Sequence, residues 1–359
     1  MCRPAHIALL VVVEVVLWMS IGISGGLDLD RHALSIEEHQ QVDLVAADAD
    51  IAIDDHAATA LQEGGGDVLP GPSDGHAVGG HADILTGPCD ANSPLATTFP
   101  LMAFVKTEDR GAARWLTLSA PERKNAVPST GWDEIADAID DFAASEQRAL
   151  VITGDGEDFC AGADLGGDRV RSTSAADNTA RMRLPNRAAL ALHRVSKPTI
   201  AAVDGVAVGA GMNLAIGCDI VVATSRVRFA EIFVKRGLTM DFGGTWLLPR
   251  LVGMAKAREL VLTGRMVYAD EAEDIGLVTR VVEPDELAKV ATEIADELAA
   301  GAPLAQRFLK EALDRSSALT FEQALAFEEQ AQALLLGSED VIEGAKAFFE
   351  DRPPDFQGR

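Results

Sequence analysis

Past residue 102 the apolar positions of the chain switch between two periods. In Ala113-Arg114-Trp115-Leu116-Thr117-Leu118 they alternate, which predicts a strand ended by Pro121. Trp132, Ile135, Ala136, Ile139 and Phe142 then recur every three or four residues, the spacing of a helix with one buried stripe. Short apolar runs at 149–153, 199–203 and 219–223 predict three further strands, and a helix is predicted to end at His193, before Lys197-Pro198. Helical spacing dominates the C-terminal part. Pro284 is suited to open a helix running to about Ala299, and Pro303 another through Leu313, because proline gives up no hydrogen bond in a first helical turn. Two more helices are expected, from about Phe321 to Leu336 and from Asp340 to Phe349. Strand–helix alternation followed by helices alone predicts an α/β core over 102–300 and a helical module over 301–359, suited to oligomerisation. The sequence holds no internal repeat.

Residues 1–101 follow neither period. Arg3 precedes an apolar run from Ile7 to Ile23 that is interrupted by Glu14, so a short hydrophobic stretch carries a carboxylate at its centre, where lipid burial is costly. From Asp28 to Thr98 the chain is rich in Asp, Ala, Gly and His. Gly64-Gly65-Gly66, Pro70-Gly71-Pro72 and Gly79-Gly80 separate short apolar stretches, too little to offset the entropy of ordering, and disorder or weak order is expected. Three readings of the segment stand open: translation that begins at Met102, a loosely ordered extension, or an anchor or signal peptide with a small-residue site at Gly22 and Ser24.

Charge sharpens the division. The 359 residues carry a formal net charge of −25, and about half of it, with six of the seven histidines, lies before residue 102. Such a surface repels a phosphate backbone and anionic lipid, so neither nucleic acid nor membrane is an expected partner. An anionic ligand would need a local cluster of Arg or Lys. The four cysteines (Cys2, Cys89, Cys160, Cys218) have no metal-like spacing, and reduced thiols suit a cytoplasmic protein, with Cys160 and Cys218 as small buried residues.

Two glycine-rich stretches follow predicted strands: Gly154-Asp155-Gly156-Glu157-Asp158-Phe159-Cys160-Ala161-Gly162-Ala163-Asp164-Leu165, and Val203-Asp204-Gly205-Val206-Ala207-Val208-Gly209-Ala210-Gly211-Met212-Asn213. Small residues let backbone approach a ligand closely, and the second stretch leads into a helix whose first N–H groups are free to meet negative charge. Either stretch alone is compatible with an ordinary turn, and neither continues as a phosphate-binding P-loop.

Together, in this order and separation, the two stretches resemble the crotonase (enoyl-CoA hydratase/isomerase) family. The resemblance includes Pro121-Glu122-Arg123-Lys124-Asn125-Ala126, the run from Gly237 to Trp246, Leu248-Pro249-Arg250-Leu251-Val252-Gly253, Leu262-Thr263-Gly264 and Ala272 to Val278, and so spans essentially all of 102–359. It implies a spiral of β-β-α units, a trimer or dimer of trimers, and coenzyme A thioester substrates, with no metal or further cofactor. Carried over by position, the two backbone N–H groups of the oxyanion hole fall on Ala163 and Ala210. The acyl-CoA is then expected along Ala161, Gly162, Asp164 and Leu165, beside Ala126, Val206, Gly209 and Phe233, with Arg123, Lys124 or Lys310 near its phosphates. Trp246 and Phe233 are expected to shape an acyl pocket or core, and His193 to be structural or exposed.

The departures from the hydratase pattern bear on the reaction. The two glutamates that act on water in typical hydratases of the family correspond to Asn213 and Phe233, and Glu231 is two residues out of place. Asp241 stands where isomerase-like and dehalogenase-like members carry an aspartate. The run through Asp241-Phe242-Gly243-Gly244-Thr245-Trp246 resembles the branch related to the phenylacetate-pathway enoyl-CoA isomerase. One carboxylate suffices to take a proton from one carbon and return it two carbons along. The resemblance therefore implies Δ3–Δ2 double-bond migration with Asp241 as acid and base. Hydration, thioester hydrolysis or dehalogenation, and silent acyl-CoA binding are the alternatives.

Overall fold

The apolar runs become strands of two sheets in the computed structural model, which describes residues 103–166 and 174–359. The strands are β1 (Val105–Arg110), β2 (Ala113–Leu118), β3 (Ala149–Gly154), β4 (Thr199–Val203), β5 (Val206–Val208), β6 (Ile220–Thr224), β7 (Arg228–Ala230), β8 (Val267–Tyr268) and β9 (Arg280–Val282). Six form one sheet in the order β1-β2-β3-β4-β6-β9, antiparallel at β1–β2 and parallel elsewhere. The second sheet has the order β5-β7-β8. The helices are α1 (Gly131–Ala144), α2 (Ala175–Arg194), α3 (Ala210–Ile216), α4 (Gly244–Thr263), α5 (Ala269–Asp274), α6 (Leu287–Ala300), α7 (Pro303–Ser316), α8 (Phe321–Leu335) and α9 (Glu339–Phe349). After β4 in the large sheet the chain enters the small one as β5, passes through α3, and returns as β6 and then β7. This is the expected β-β-α spiral. Gly205, at φ +57°, turns the chain from one sheet to the other where any side chain would overlap the Glu157 carbonyl.

Period two decides which side of the large sheet each residue serves. Leu116, Leu118, Leu150, Ile152, Ala201 and Val203 pack with Trp132, Ile135, Ile139 and Phe142 of α1 and with Phe229 of the small sheet. Their neighbours Ala113, Trp115, Ala149, Val151, Ile200 and Ala202 face the other way, under Leu287, Ala291 and Ala295 of α6. The sheet is thus covered on both sides, which explains why β3 and β4 read as continuous apolar runs. Each fully buried Leu, Ile or Phe contributes about 1.5–3 kcal/mol. Helices α7, α8 and α9 add little to this core: Leu309, Leu313, Phe321, Leu334, Phe348 and Phe349 are all exposed.

Several boundaries differ from the sequence expectation. Pro284 does not open a helix; α6 begins at Leu287, after a turn closed by the Glu286 N–H on the Glu283 carbonyl. Strand β6 begins at Ile220 because the Asp219 carboxylate turns back to accept from the Thr199 N–H and Oγ1, both at 2.8 Å. Strand β1, a charged edge, carries no apolar alternation to betray it. Helix α4 is interrupted at Gly253, whose backbone (φ 75°, ψ 158°) is not helical. No helix among the described residues is long and apolar enough to cross a membrane. The run 7–23, the Gly/Pro-rich stretch, Cys2, Cys89 and the early histidines lie outside the described residues.

Asn125 fixes the loops around β3. Wholly buried and at φ +53°, it accepts the Ala120 N–H at 2.9 Å and donates to the carbonyls of Asp155 (2.9 Å) and Asp158 (2.6 Å). Asparagine suits this left-handed backbone better than most residues do. Asn125→Ala leaves three backbone groups, one buried and two partly buried, without their partner, and is expected to lower unfolding free energy by about 2–4 kcal/mol. Urea denaturation checks this, and an unchanged midpoint would contradict it.

Candidate active site

The segment 160–164 runs between two neighbours. On one side the Ala161 N–H donates to the Lys124 carbonyl (2.8 Å), Val127 N–H to Gly162 (2.8 Å) and Asp164 N–H to Val127 (2.9 Å). On the other side the Cys160 N–H donates to Val206 (2.8 Å), and the Val208 N–H returns to Cys160 (3.0 Å). These bonds leave out the Ala163 N–H, which reaches no acceptor among the described residues. Beyond β5 the Gly209 N–H is bound to the Ala230 carbonyl (2.9 Å), and Gly209, at φ +56°, swings the chain into α3. Ala210 is the first residue of that helix, where an N–H has no intrahelical partner, and here too no acceptor meets it.

Glycine brings the two unpaired amides onto abutting segments. A Cβ on Gly162 would stand 2.8 Å from the Val208 oxygen and 3.5 Å from the Ala210 nitrogen, and one on Gly211 would overlap the Cys160 carbonyl. Cys160 itself is fully buried, its thiol pushed up to about 12 by desolvation, so it packs and has no thiolate to offer. Buried Cys218 is alike.

Asn213, one turn into α3, holds the next part of the site. Its Nδ2 donates to the backbone carbonyl of Asp241 at 3.0 Å, and Gly244 closes over it: a Cβ on Gly244 would lie 2.5 Å from the Asn213 amide. The loop carrying Asp241 is therefore tied to the helix that Ala210 begins. The Asp241 side chain has a buried Oδ1 without a partner, and burial pushes its carboxyl up to about 6. Phe233, almost fully buried, lies against Gly209, 3.5 Å from where a Cβ would stand.

Glu231 is the residue that position-by-position reading set aside. It is only 1 % exposed, and neither oxygen has a well-formed hydrogen bond. Burial and the neighbouring Asp241 charge push its carboxyl up to about 8, and the adjacent Asn213 amide opposes this only in part. The signal was in the sequence: Phe229-Ala230-Glu231-Ile232-Phe233 sets one acid inside an apolar run next to a strand. The role of Asn125, inside the 121–126 motif, likewise shows only in its hydrogen bonds.

The remaining sequence-predicted residues divide. Ala126 and Val206 lie beside the 160–164 segment, with the Ala126 N–H on the Arg123 carbonyl and the Val206 N–H on Asp158 Oδ1. Leu165 projects, 58 % exposed. Arg123 and Lys124 stand close by but hold acids of their own, Asp164 at 2.8 Å and Asp158 at 2.6 Å. Such half-exposed pairs are worth about 0–1 kcal/mol, so a phosphate can exchange for them cheaply. Lys310 lies elsewhere: α7 sets it on Asp219 at 2.8 Å, past the far end of α3 from Ala210. Trp246 does not join the core. It is 37 % exposed, with the Arg250 guanidinium 3.7 Å over its ring and the exposed His193 ring edge-on at 5.3 Å.

Comparison with known proteins agrees with this architecture. A family model described as enoyl-CoA hydratase/isomerase matches residues 109–359. A short-chain-enoyl-CoA hydratase of Clostridium acetobutylicum is 38% identical over 247 residues, covering 68% of this chain and 94% of its own. A 1,2-epoxyphenylacetyl-CoA isomerase of Escherichia coli is 36% identical over 262 residues, 72% of this chain and 100% of that one. The crystal structure of an enoyl-CoA hydratase from Polaromonas superposes with a TM-score of 0.67 at 33% identity, over 70% of this chain and 99% of that one. On the motifs, the spiral and these matches, the chain belongs to the enoyl-CoA hydratase/isomerase (crotonase) family.

Proposed function

We propose that the protein moves the double bond of an enoyl-CoA thioester from Δ3 to Δ2, with Asp241 carrying the proton. The observation that carries the reading is the half-buried Asp241 carboxyl, one oxygen of which is buried without a partner, on a loop tied to the helix that starts at Ala210, while Asn213 and Phe233 correspond by resemblance to the hydratase glutamates. The Asp241 carboxylate takes a proton from the carbon beside the thioester carbonyl. The electron pair of that C–H bond spreads over the dienolate, whose oxygen accepts from the N–H groups of Ala163 and Ala210. Asp241, now the acid, returns the proton two carbons along, and nothing else is consumed. Ala161, Gly162, Asp164 and Leu165 would line the path of the acyl-CoA. Arg123 or Lys124 would meet its phosphates by exchanging partners. Coenzyme A arrives as part of the substrate, so the step calls on no separate cofactor, and the reading fits the cytoplasm, where such esters are used.

A hydratase is the second reading, favoured by the names of several relatives and by the presence of two carboxyls, Glu231 buried and Asp241 half-buried. Water addition needs one carboxylate ionised beside a second group that can give a proton. A coupled assay offering both trans-2- and 3-enoyl-CoA esters separates the two: isomerisation consumes the 3-enoyl ester, and hydration alone consumes only the other.

The exposed apolar residues of α7, α8 and α9 support a trimer or dimer of trimers built through these helices. Light scattering of the full chain is expected to give a mass of three or six copies, and a monomer would count against it. Asp241→Asn is expected to cut isomerisation by at least about 10³-fold while the dissociation constant of an enoyl-CoA ester stays nearly unchanged. Because the base must be ionised and burial raises its pKa, kcat is expected to climb as pH rises through about 6. Gly162→Ala pushes the two amide-bearing segments apart. Its kcat is expected to fall about 10²–10³-fold, the usual loss for one oxyanion donor. Full activity in either variant would remove that group from the mechanism.

A further inference from the structure

The 124–127 and 160–164 segments face each other through three backbone bonds, from Ala161 N–H to Lys124, from Val127 N–H to Gly162 and from Asp164 N–H to Val127. Between the first two of these rungs stand the carbonyl of Asn125 and the N–H of Gly162. Both residues are buried, and neither group meets a backbone partner among the described residues. The Cys160 thiol fills that gap. Its Sγ accepts the Gly162 N–H at 3.4 Å and gives its own hydrogen to the Asn125 carbonyl at 3.2 Å. Cys160 is wholly buried, and desolvation keeps the thiol protonated, so the hydrogen is there to be given. One sulfur thus satisfies two backbone groups that burial would otherwise leave orphaned.

This bridge bears on where the Ala163 N–H points. A trans peptide is rigid, with its carbonyl and its N–H directed opposite ways. The Gly162 carbonyl is turned to Val127, whose N–H meets it at 2.8 Å. The Ala163 N–H, on the same peptide plane, therefore points away from the 124–127 segment. Gly162 joins that plane to the preceding one at φ +85°, where glycine turns with little steric resistance. Val127 holds the later plane by its carbonyl, and the Cys160 sulfur holds the earlier plane by its N–H. We propose that Cys160 is a positioning residue for the oxyanion hole: its thiol, set between Gly162 and Asn125, keeps the Ala163 N–H aimed at the thioester oxygen. The inference rests on the reading of Ala163 and Ala210 as the donors to that oxygen. Without the sulfur, the Gly162 N–H and the Asn125 carbonyl are left unpaired. Gly162 then turns to recover a partner, and the donor at Ala163 turns with it.

The test is the infrared difference spectrum of a saturated acyl-CoA, isotopically labelled at its thioester carbonyl, bound to the full chain. Such an ester binds without turning over. In the wild type its carbonyl band should lie below that of the free ester, because amide donors polarise the bond. Cys160→Ala should lose about half of this displacement, one of two donors being misaimed, while the dissociation constant rises less than about threefold. Its kcat, for whichever enoyl-CoA ester the coupled assay shows to react, should fall about 10²-fold with KM nearly unchanged. Cys160→Ser, whose hydroxyl also accepts and donates, should recover most of the displacement and of kcat. A bound-ester band unmoved by Cys160→Ala, or a Cys160→Ser spectrum no better than that of Cys160→Ala, overturns the inference. Should Cys160→Ala fail to fold, the S–H stretching band of Cys218→Ala decides, since Cys160 is then the one buried thiol among the described residues. That band should sit below the frequency of an unbonded thiol, and a band at the unbonded frequency overturns the inference equally. The levels separate cleanly. A wild type that leaves the ester carbonyl where it is in water defeats the oxyanion-hole reading itself, whereas a displaced wild-type band that persists in Cys160→Ala defeats only the role of Cys160.

Discussion

An amide hydrogen without an acceptor is something a protein interior avoids, because it has given up water and received nothing in return. Among the described residues, the N–H groups of Ala163, partly buried, and Ala210, buried, meet no acceptor, and they lie on chain segments that touch. They can touch only because Gly162 and Gly211 present no side chain at the contact. Much of the surrounding structure serves that closeness. The 124–127 segment is hydrogen-bonded along one side of 160–164 and β5 along the other, and the loop after β3 is tied to the first by Asn125 and to the second by the Val206 N–H on Asp158. The spiral order of strands, large sheet then small sheet, is what brings residues 163 and 210 together from distant parts of the chain.

The acids lie in a wall that is otherwise apolar. Phe229, Ala230 and Phe242 around them are buried, so a carboxyl there is held back from ionising. A carboxyl kept from ionising costs stability, and acids so placed are common at sites where protons are moved. Where the family's water-activating carboxylate would project from α3, an amide binds the neighbouring loop. The helix has exchanged a reagent for a fastening.

How much of this was legible in the sequence depended on length. Six alternating residues announced β2, and a fourteen-residue helix announced α1 through its stripe of Trp132, Ile135, Ile139 and Phe142. Strands β5, β7 and β8, two or three residues each, are too short to show a period, yet they position the site. Helix α4 hid behind Pro249 and Gly253, which break the pattern they belong to. Ala163, Ala210 and Asp241 were found because their motifs resemble a known family; nothing in their own chemistry would have singled out two alanines. Glu231 was missed for the opposite reason. Counting along the chain put it two residues out of register, and only packing reveals that it leans back toward Asn213 and Asp241.

The contact between Gly244 and Asn213 sets a limit on how this active site can change. Replacing Asn213 by the glutamate of a hydratase would bring a longer, charged side chain against a helix start that already leaves no room for one methyl group, and would delete the donor on the Asp241 carbonyl. Helix, loop and glycine are coupled through this one contact, so a change at any of the three is felt by the other two.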